Sequence, residues 1–408
     1  MMRVLLSAFA CDPHFGSDEE VGWRWALELC IQGHEVTVLT RASHRGAIEA
    51  ELSGGMYEMR PEFVYIDLPR VHRILSKINR RNHLYYYLWQ WVAYKKARAL
   101  IREGRCFDLV HHVTWVSFRQ PSFLGNLGIP FIFGPVAGGD EIPSSYVSCF
   151  SWRHRFIELV RAGLNILVRY DPLMRRTFRQ ADQLIFTSPG HIRRVPKSVH
   201  PKSRVELAIG TSKVMDSGRG LGNGTRLLYV GRAIGLKGMD IGLKVFARAL
   251  TQNPELRLSI IGDGPERDRW HLLSRRLGIE YAVEWLGWLP KAKVQEIYES
   301  FDVLFYPSLR DSGGFVVLEA LQSGLPVVCF KLGGPGVIID DEVGAAVEAN
   351  PDLDVAIEDY SQQLMSVLQR SKSDPMLAEA CRSRAALYTW SALVRRVYEA
   401  LPVSRVVS

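Results

Sequence analysis

Two cations and a glycine pair are the residues here with the clearest chemistry. Arg232 and Lys237 lie five positions apart in the run GRAIGLKG, directly after an apolar stretch, RLLYV, that reads as a strand. Gly313 and Gly314 stand at the start of a helical pattern. A glycine pair there removes Cβ atoms and turns backbone N–H groups and the positive end of the helix dipole toward a ligand. Arg contributes a planar fork and Lys a point charge, so the set would neutralise a diphosphate. Asp311 and Glu319 flank the pair, eight positions apart. Carboxylates beside an anion site repel phosphate, so these two are expected to meet sugar or ribose hydroxyls. The same residues also fit a plain capped helix with two surface cations.

The elements that must position them read as alternating strand and helix. DVLFYPSLRDSGGFVVLEALQSGLP (302–326) is strand, loop, helix, closed by Gly324 and Pro326. Upstream strands are expected at 226–230, 256–262 and 283–286, and a further one at 326–330. They end in glycine- or proline-bearing loops on one edge, and the loop at Gly287 is a place for a nucleobase. In the first half, 3–10, 34–40, 63–68, 107–113, 130–133 and 183–187 read as strands, with a helix over 18–32. That βαβ order implies a parallel sheet. Gly16 and Ser17 stand at its first strand-to-helix turn, and Gly138 and Gly139 in the loop GPVAGGDEIP. In an open α/β sheet these turns form the ligand edge, where amides reach a phosphate or an acceptor sugar. His111 and His112 fall near the end of the strand FDLVHHV; neighbours on a strand face opposite sides. Residues 196–225 are poor in regular pattern, and DSGRGLGNG (216–224) reads as a linker or surface loop. The expected units are 1–205, 206–385, and a final amphipathic helix in 386–408.

Composition narrows the class. A chain of 408 residues holds two α/β domains of ordinary size. No apolar run reaches the ~20 residues a membrane span needs, and the brief apolar start passes into a loop and helix of the fold rather than reading as a secretion signal. Six scattered cysteines point to a reducing compartment and away from structural zinc. Net charge is +8. Residues 1–200 hold 26 Lys and Arg against 18 Asp and Glu, while the remainder is balanced at 25 each. Residues 70–105 carry ten basic residues, one acid and six Tyr or Trp, the signature of a membrane-surface element. A second basic stretch, 152–179, has seven Arg against Glu158 and Asp171. A solvated basic face over core-packing aromatics fits equally. No nucleic-acid motif accompanies the charge. Asp352-Leu353-Asp354 imitates a metal pair but reads as a helix start.

The order GSDEEVGW, VGR…KG, GDGPE, LG, PS and D…GGF…E resembles the family 4 retaining glycosyltransferases of the GT-B fold, of the bacterial polysaccharide-assembly type. The resemblance implies two facing Rossmann-like domains with parallel sheets. The nucleotide-sugar would sit mainly on the second and the acceptor mainly on the first, with the C-terminal helix crossing back. By motif match it assigns Arg232 and Lys237 to the diphosphate, Glu319 to the ribose, Gly313, Gly314 and Phe315 to the sugar-phosphate segment, and Gly16 to the N-terminal glycine loop. His111, His112 and Asp311 become the catalytic candidates. Two departures stand out. Asp311 replaces a glutamate, one methylene longer, and His111-His112-Val113 replaces a His-x-His.

The implied reaction is hexosyl transfer with retention from a nucleotide-sugar donor to a saccharide hydroxyl. No cofactor and no metal is expected, because cations and helix dipole stabilise the leaving diphosphate. The expected partners are the donor, a lipid-linked saccharide of exopolysaccharide or lipopolysaccharide assembly, and an anionic membrane surface met through the basic first half. The expected place is cytoplasmic, peripheral at the inner membrane face. A 2-epimerase, a sugar-phosphate transferase, or a non-catalytic glycan or anionic-lipid binder on the same fold would use the same residues.

Overall fold

A computed structural model describes residues 1–54, 57–68, 83–150, 152–211 and 219–400. The chain divides into two compact units: 1–139 with 164–208 and the C-terminal residues from 390, and 140–163 with 209–389. Residues 140–163 belong to the second unit, which chain order alone does not reveal.

The first unit is built on a seven-stranded parallel sheet. Its strands are β1 (Arg3–Ala8), β2 (Glu35–Arg41), β3 (Glu62–Ile66), β4 (Leu109–Thr114), β5 (Phe131–Val136), β6 (Gln183–Phe186) and β7 (Ser203–Val205), in the order β3-β2-β1-β4-β5-β6-β7. Strands covered by helices on both faces must be apolar throughout, and β1 and β4–β6 are almost wholly buried. The edge strand β7 was not foreseen. Its three residues, SRV, are each half-buried and carry no apolar pattern.

The aromatic helix His83–Arg102 divides its rings between core and surface. Tyr86 and Trp89 are fully buried in the core with Phe9, Phe131 and Phe133, while Trp91 on the same helix is exposed. The basic stretch 69–82 before it lies outside the described residues. The helix Trp390–Glu399 packs against the helix Asp18–Ile31 in the same unit, and Arg396 pairs with Glu206 at 2.8 Å.

The second unit carries a six-stranded parallel sheet. Its strands are β8 (Arg226–Val230), β9 (Arg257–Ile261), β10 (Val283–Gly287), β11 (Val303–Tyr306), β12 (Val327–Phe330) and β13 (Gly344–Val347), in the order β10-β9-β8-β11-β12-β13. Strand β13, the small-residue run GAAV, escaped the sequence reading. Strand order reverses direction between β8 and β11, as it does between β1 and β4 in the first sheet. Loops after the two strands at such a switch point diverge, leaving a crevice at the carboxyl edge. The loops after β8 and β11 carry Lys237 and Asp311. Asp352 caps the helix Leu353–Ser373 through the amides of Asp354 and Val355, in keeping with the helix-start reading.

Candidate functional site

In the second unit the site is assembled by two loops tied to each other. Leu309 N–H donates to the Leu236 carbonyl at 3.0 Å. Gly238 ends the short turn Gly235–Lys237 at φ +69, and a Cβ there would stand 2.0 Å from the Pro307 carbonyl oxygen. Only glycine permits both that dihedral and that approach, and together they set Lys237 beside Asp311.

Lys237 Nζ donates to Asp311 Oδ2 at 2.8 Å and to the Tyr306 hydroxyl at 2.6 Å. Tyr306 in turn donates to the same Oδ2 at 2.5 Å. The other carboxylate oxygen, Oδ1, accepts from Gly313 N at 3.1 Å and Gly314 N at 3.0 Å, at the mouth of the helix Phe315–Gln322. Burial would raise the Asp311 pKa. The charge of Lys237 and the hydrogen bonds from Lys237, Tyr306 and Gly314 outweigh it and hold the carboxyl below its ordinary value. Burial and the neighbouring Asp311 push the Tyr306 phenol well above its own.

This arrangement corrects one expectation. The Gly313 and Gly314 amides are not free: Asp311 occupies the helix mouth, so the cation and the amides converge on one carboxylate. Arg232 is exposed at the end of β8 and has no side-chain partner among the described residues. Phe315 is the first helical residue and is half-buried.

Glu319, about a turn further along the same helix, is held by two groups. Lys291 Nζ lies 3.1 Å from Oε1, and the Tyr298 hydroxyl donates to Oε2 at 3.3 Å. Gly287 closes β10 at φ +68, and its carbonyl accepts from Gly262 N at 2.7 Å. Tyr306, Tyr298 and Lys291 were not singled out from sequence. Tyr306 closes an apolar run that advertises only packing, although as the last residue of β11 it stands where a strand meets the ligand edge.

The first unit places its candidates differently. His111 and His112 are both fully buried. His111 uses both ring nitrogens, Nε2 at 2.7 Å from the Gly134 carbonyl and Nδ1 at 2.9 Å from the Tyr398 hydroxyl. His112 Nε2 meets the Tyr86 hydroxyl at 3.0 Å. Burial lowers their pKa values to about 4 and about 3, His111 adding to the effect on His112. Burial thus disfavours the protonated form of both, and neither is open to solvent. Both rings are packed and hydrogen-bonded within the first unit.

Ser17, at the N-cap of the helix Asp18–Ile31, has φ +66 and ψ −136, a conformation that is costly outside glycine. Gly16 beside it is exposed. Asp18 follows, its pKa raised to about 6 by burial and by Glu19. Gly138 lies against Arg119. A Cβ on Gly139 would meet His191 at 2.9 Å and Phe118 at 3.1 Å, so close packing accounts for that glycine. A cluster missed from sequence joins the ends of β1 and β2. His44 Nδ1 lies 3.2 Å from Asp12 Oδ2, and Arg41 donates to His44 Nε2 at 2.7 Å while its Nε donates to the Phe9 carbonyl at 3.0 Å.

Known proteins resemble both units. Residues 21–208 match the family model described as glycosyl transferase 4-like domain, and residues 219–384 the one described as glycosyl transferases group 1. A D-inositol 3-phosphate glycosyltransferase of Saccharomonospora viridis is 26% identical over 322 residues, covering 74% of this chain and 70% of the relative. One of the same name from Corynebacterium aurimucosum is 29% identical over 171 residues, and there the match spans 40% of this chain and 39% of the relative. Among solved structures, the apo lipopolysaccharide outer core galactosyltransferase WaaB superposes with TM-score 0.63 at 17% identity, covering 98% and 99% of the two chains. The Anabaena protein HepE in complex with UDP gives 0.56 at 15% identity, over 98% and 99%. With one glycosyltransferase domain matched on each of its two parallel-sheet units, this chain belongs to the group 1 glycosyltransferases of the GT-B fold.

Proposed function

We propose that the chain is a retaining hexosyltransferase that moves a sugar from a nucleoside-diphosphate sugar to a hydroxyl of a lipid-linked saccharide, without a metal, at the inner face of the cytoplasmic membrane. The observation that carries the reading is the convergence of Lys237 and the Gly313 and Gly314 amides on one anionic group. A cation and a helix mouth trained on a single carboxylate form a ready receptacle for a phosphate. With donor present, Lys237 and the exposed Arg232 meet the diphosphate, Asp311 the transferred sugar, and Glu319 the ribose. The HepE neighbour, solved with UDP, supports a nucleoside-diphosphate donor.

Retention means that the acceptor hydroxyl attacks on the face from which the diphosphate leaves. Fixed positive charge lowers the barrier by stabilising that leaving group as it separates. The departing phosphate oxygen takes the acceptor proton, a role that buried His111 and His112 leave open. Basic excess in residues 1–200 supports an anionic surface nearby, and no helix among the described residues is long and apolar enough to cross a membrane.

The test is a thermal-shift panel of UDP-, GDP- and ADP-sugars, since a ligand that binds only the native state raises Tm. One donor is expected to stabilise the wild type. In Lys237→Ala that stabilisation is expected to shrink, and kcat to fall by about 10²–10³-fold. Absence of any nucleotide-sugar effect on the wild type overturns the reading.

A further inference from the structure

The helix Trp152–Val168 is turned inside out. Its polar residues at the 154 and 158 positions face the protein. Arg310 grips Glu158 with both guanidinium nitrogens, one at 2.8 Å, and both side chains are nearly buried, at 9% and 11% exposure. His154 Nδ1 lies 3.2 Å from buried Glu266. Further along, Asn165 is buried as well. The opposite face is apolar and open. Trp152 is 75% exposed, Phe156 63%, Leu159 71%, Leu167 60% and, just past the end, Tyr170 67%. Those positions recur at intervals of three, four and eight, so they form one stripe along a ~25 Å rod. A water-soluble helix places such a stripe against its core, and an open one marks an interaction surface.

Charge selects the occupant. Glu158 is the helix's only acid, and Arg310 neutralises it on the inward side. Arg155 is exposed near the start, its guanidinium donating to the Phe150 and Ser148 carbonyls, and exposed Arg169 follows the end. An aromatic closes the stripe at each end, where Trp and Tyr favour the boundary between headgroups and hydrocarbon. An apolar stripe rimmed by arginine and ended by aromatics fits an anionic lipid surface.

We propose that the helix Trp152–Val168 lies in the plane of an anionic bilayer, its stripe sunk among the acyl chains and its arginines at the headgroups. The proposal makes specific the membrane association in the proposed function, and moves it from the aromatic helix His83–Arg102 to this one. It also gives Arg310 a purpose. Arg310 directly precedes Asp311, so the lipid-bound helix is bolted to the loop that carries the candidate donor site.

The test needs no donor and no acceptor. The full chain is sedimented with vesicles of phosphatidylcholine alone, and with vesicles that also contain phosphatidylglycerol. Binding is expected only to the second, and weakening with salt. Phe156→Ser combined with Leu159→Ser is expected to reduce it at least about tenfold. Both positions are exposed, so the variant should keep the wild-type Tm and nucleotide-sugar shift, and that shift reads the proposed function separately. Equal binding by the variant overturns the proposal. So does a wild type that ignores anionic vesicles, or one that instead forms a dimer which the same substitutions dissolve.

Discussion

Replacing Asp311 with Asn tests the centre of the site, because the wild-type carboxylate accepts four hydrogen bonds. Two come from the Gly313 and Gly314 amides, one from Lys237 and one from Tyr306. An asparagine oxygen can keep the two amides. Its NH₂ group then faces the Lys237 ammonium and the Tyr306 hydroxyl, two donors against a donor. The Lys237 and Asp311 side chains are only 17% and 20% exposed, so water does little to rescue the charge left behind. Breaking a buried pair costs about 3–5 kcal/mol, and the residual exposure favours the lower end. At about 2–4 °C per kcal/mol for a unit of this size, a loss near 3 kcal/mol lowers Tm by roughly 6–12 °C.

The pH dependence has a definite sign. Asp311 has a lowered pKa in the fold, so its contribution is present above the unfolded value and lost as pH falls through the folded one. The gap between wild type and Asp311→Asn should therefore close below the ordinary value of 3.8. Calorimetry or urea melts of Asp311→Asn, Lys237→Met and the double variant supply the full test. The double variant should be more stable than the sum of the single losses implies, since the second change removes a partner already stranded. A Tm shift within about 1 °C for Asp311→Asn, or strict additivity, would refute the argument.

Other expectations follow from separate contacts. Gly238→Ala should cost about 2–4 kcal/mol and reduce soluble yield, because its Cβ would lie 2.0 Å from the Pro307 oxygen at a positive φ. Glu319→Gln should raise the donor KM about 10–100-fold, the weight of one or two charged hydrogen bonds, with little change in Tm. His111 should make the first unit acid-sensitive. The unfolded chain takes a proton below 6.5 and the folded one only near 4, so stability falls as pH drops across that window, by about 3 kcal/mol in all. His111→Gln should flatten that decline in circular-dichroism melts at pH 4–6.5. Turnover should be unchanged by a metal chelator.

Most of both sheets was legible because parallel strands buried on two faces must be apolar runs. β8 and β11 were read to the residue, as RLLYV and VLFY. β7 and β13 were missed because SRV and GAAV contain too few large apolar side chains to form a pattern. The loops after β8 and β11 were recognised from their glycines and charges. Their connection was not, because it runs through the Leu309–Leu236 backbone bond and through Tyr306, whose hydroxyl is invisible within an apolar strand. Charge counting found both basic stretches but could not say which way each helix turns. In the helix His83–Arg102 Tyr86 and Trp89 took the core and left Trp91 exposed. In the helix Trp152–Val168 the polar residues found buried partners, Glu266 and Arg310, and left the apolar face outside.

The shortened acid at 311 explains how the loop after β11 holds the helix mouth. A carboxylate on one methylene reaches the amides two and three residues ahead, the local turn that aspartate favours. With a second methylene it would overshoot them. Aspartate therefore holds the helix mouth and Lys237, standing where the proposed donor phosphate would otherwise find bare positive charge. Donor binding becomes an exchange of one anion for another around a fixed cation and fixed amides. Such a site stays organised without ligand, which favours electrostatic catalysis, but its own carboxylate competes with the phosphate. Asp311→Glu separates the two effects. If the exchange operates, the longer side chain should lower Tm by giving up the amides, while tightening donor binding by vacating the mouth. A variant that loses stability and donor affinity together would show that Asp311 supports the donor rather than giving way to it.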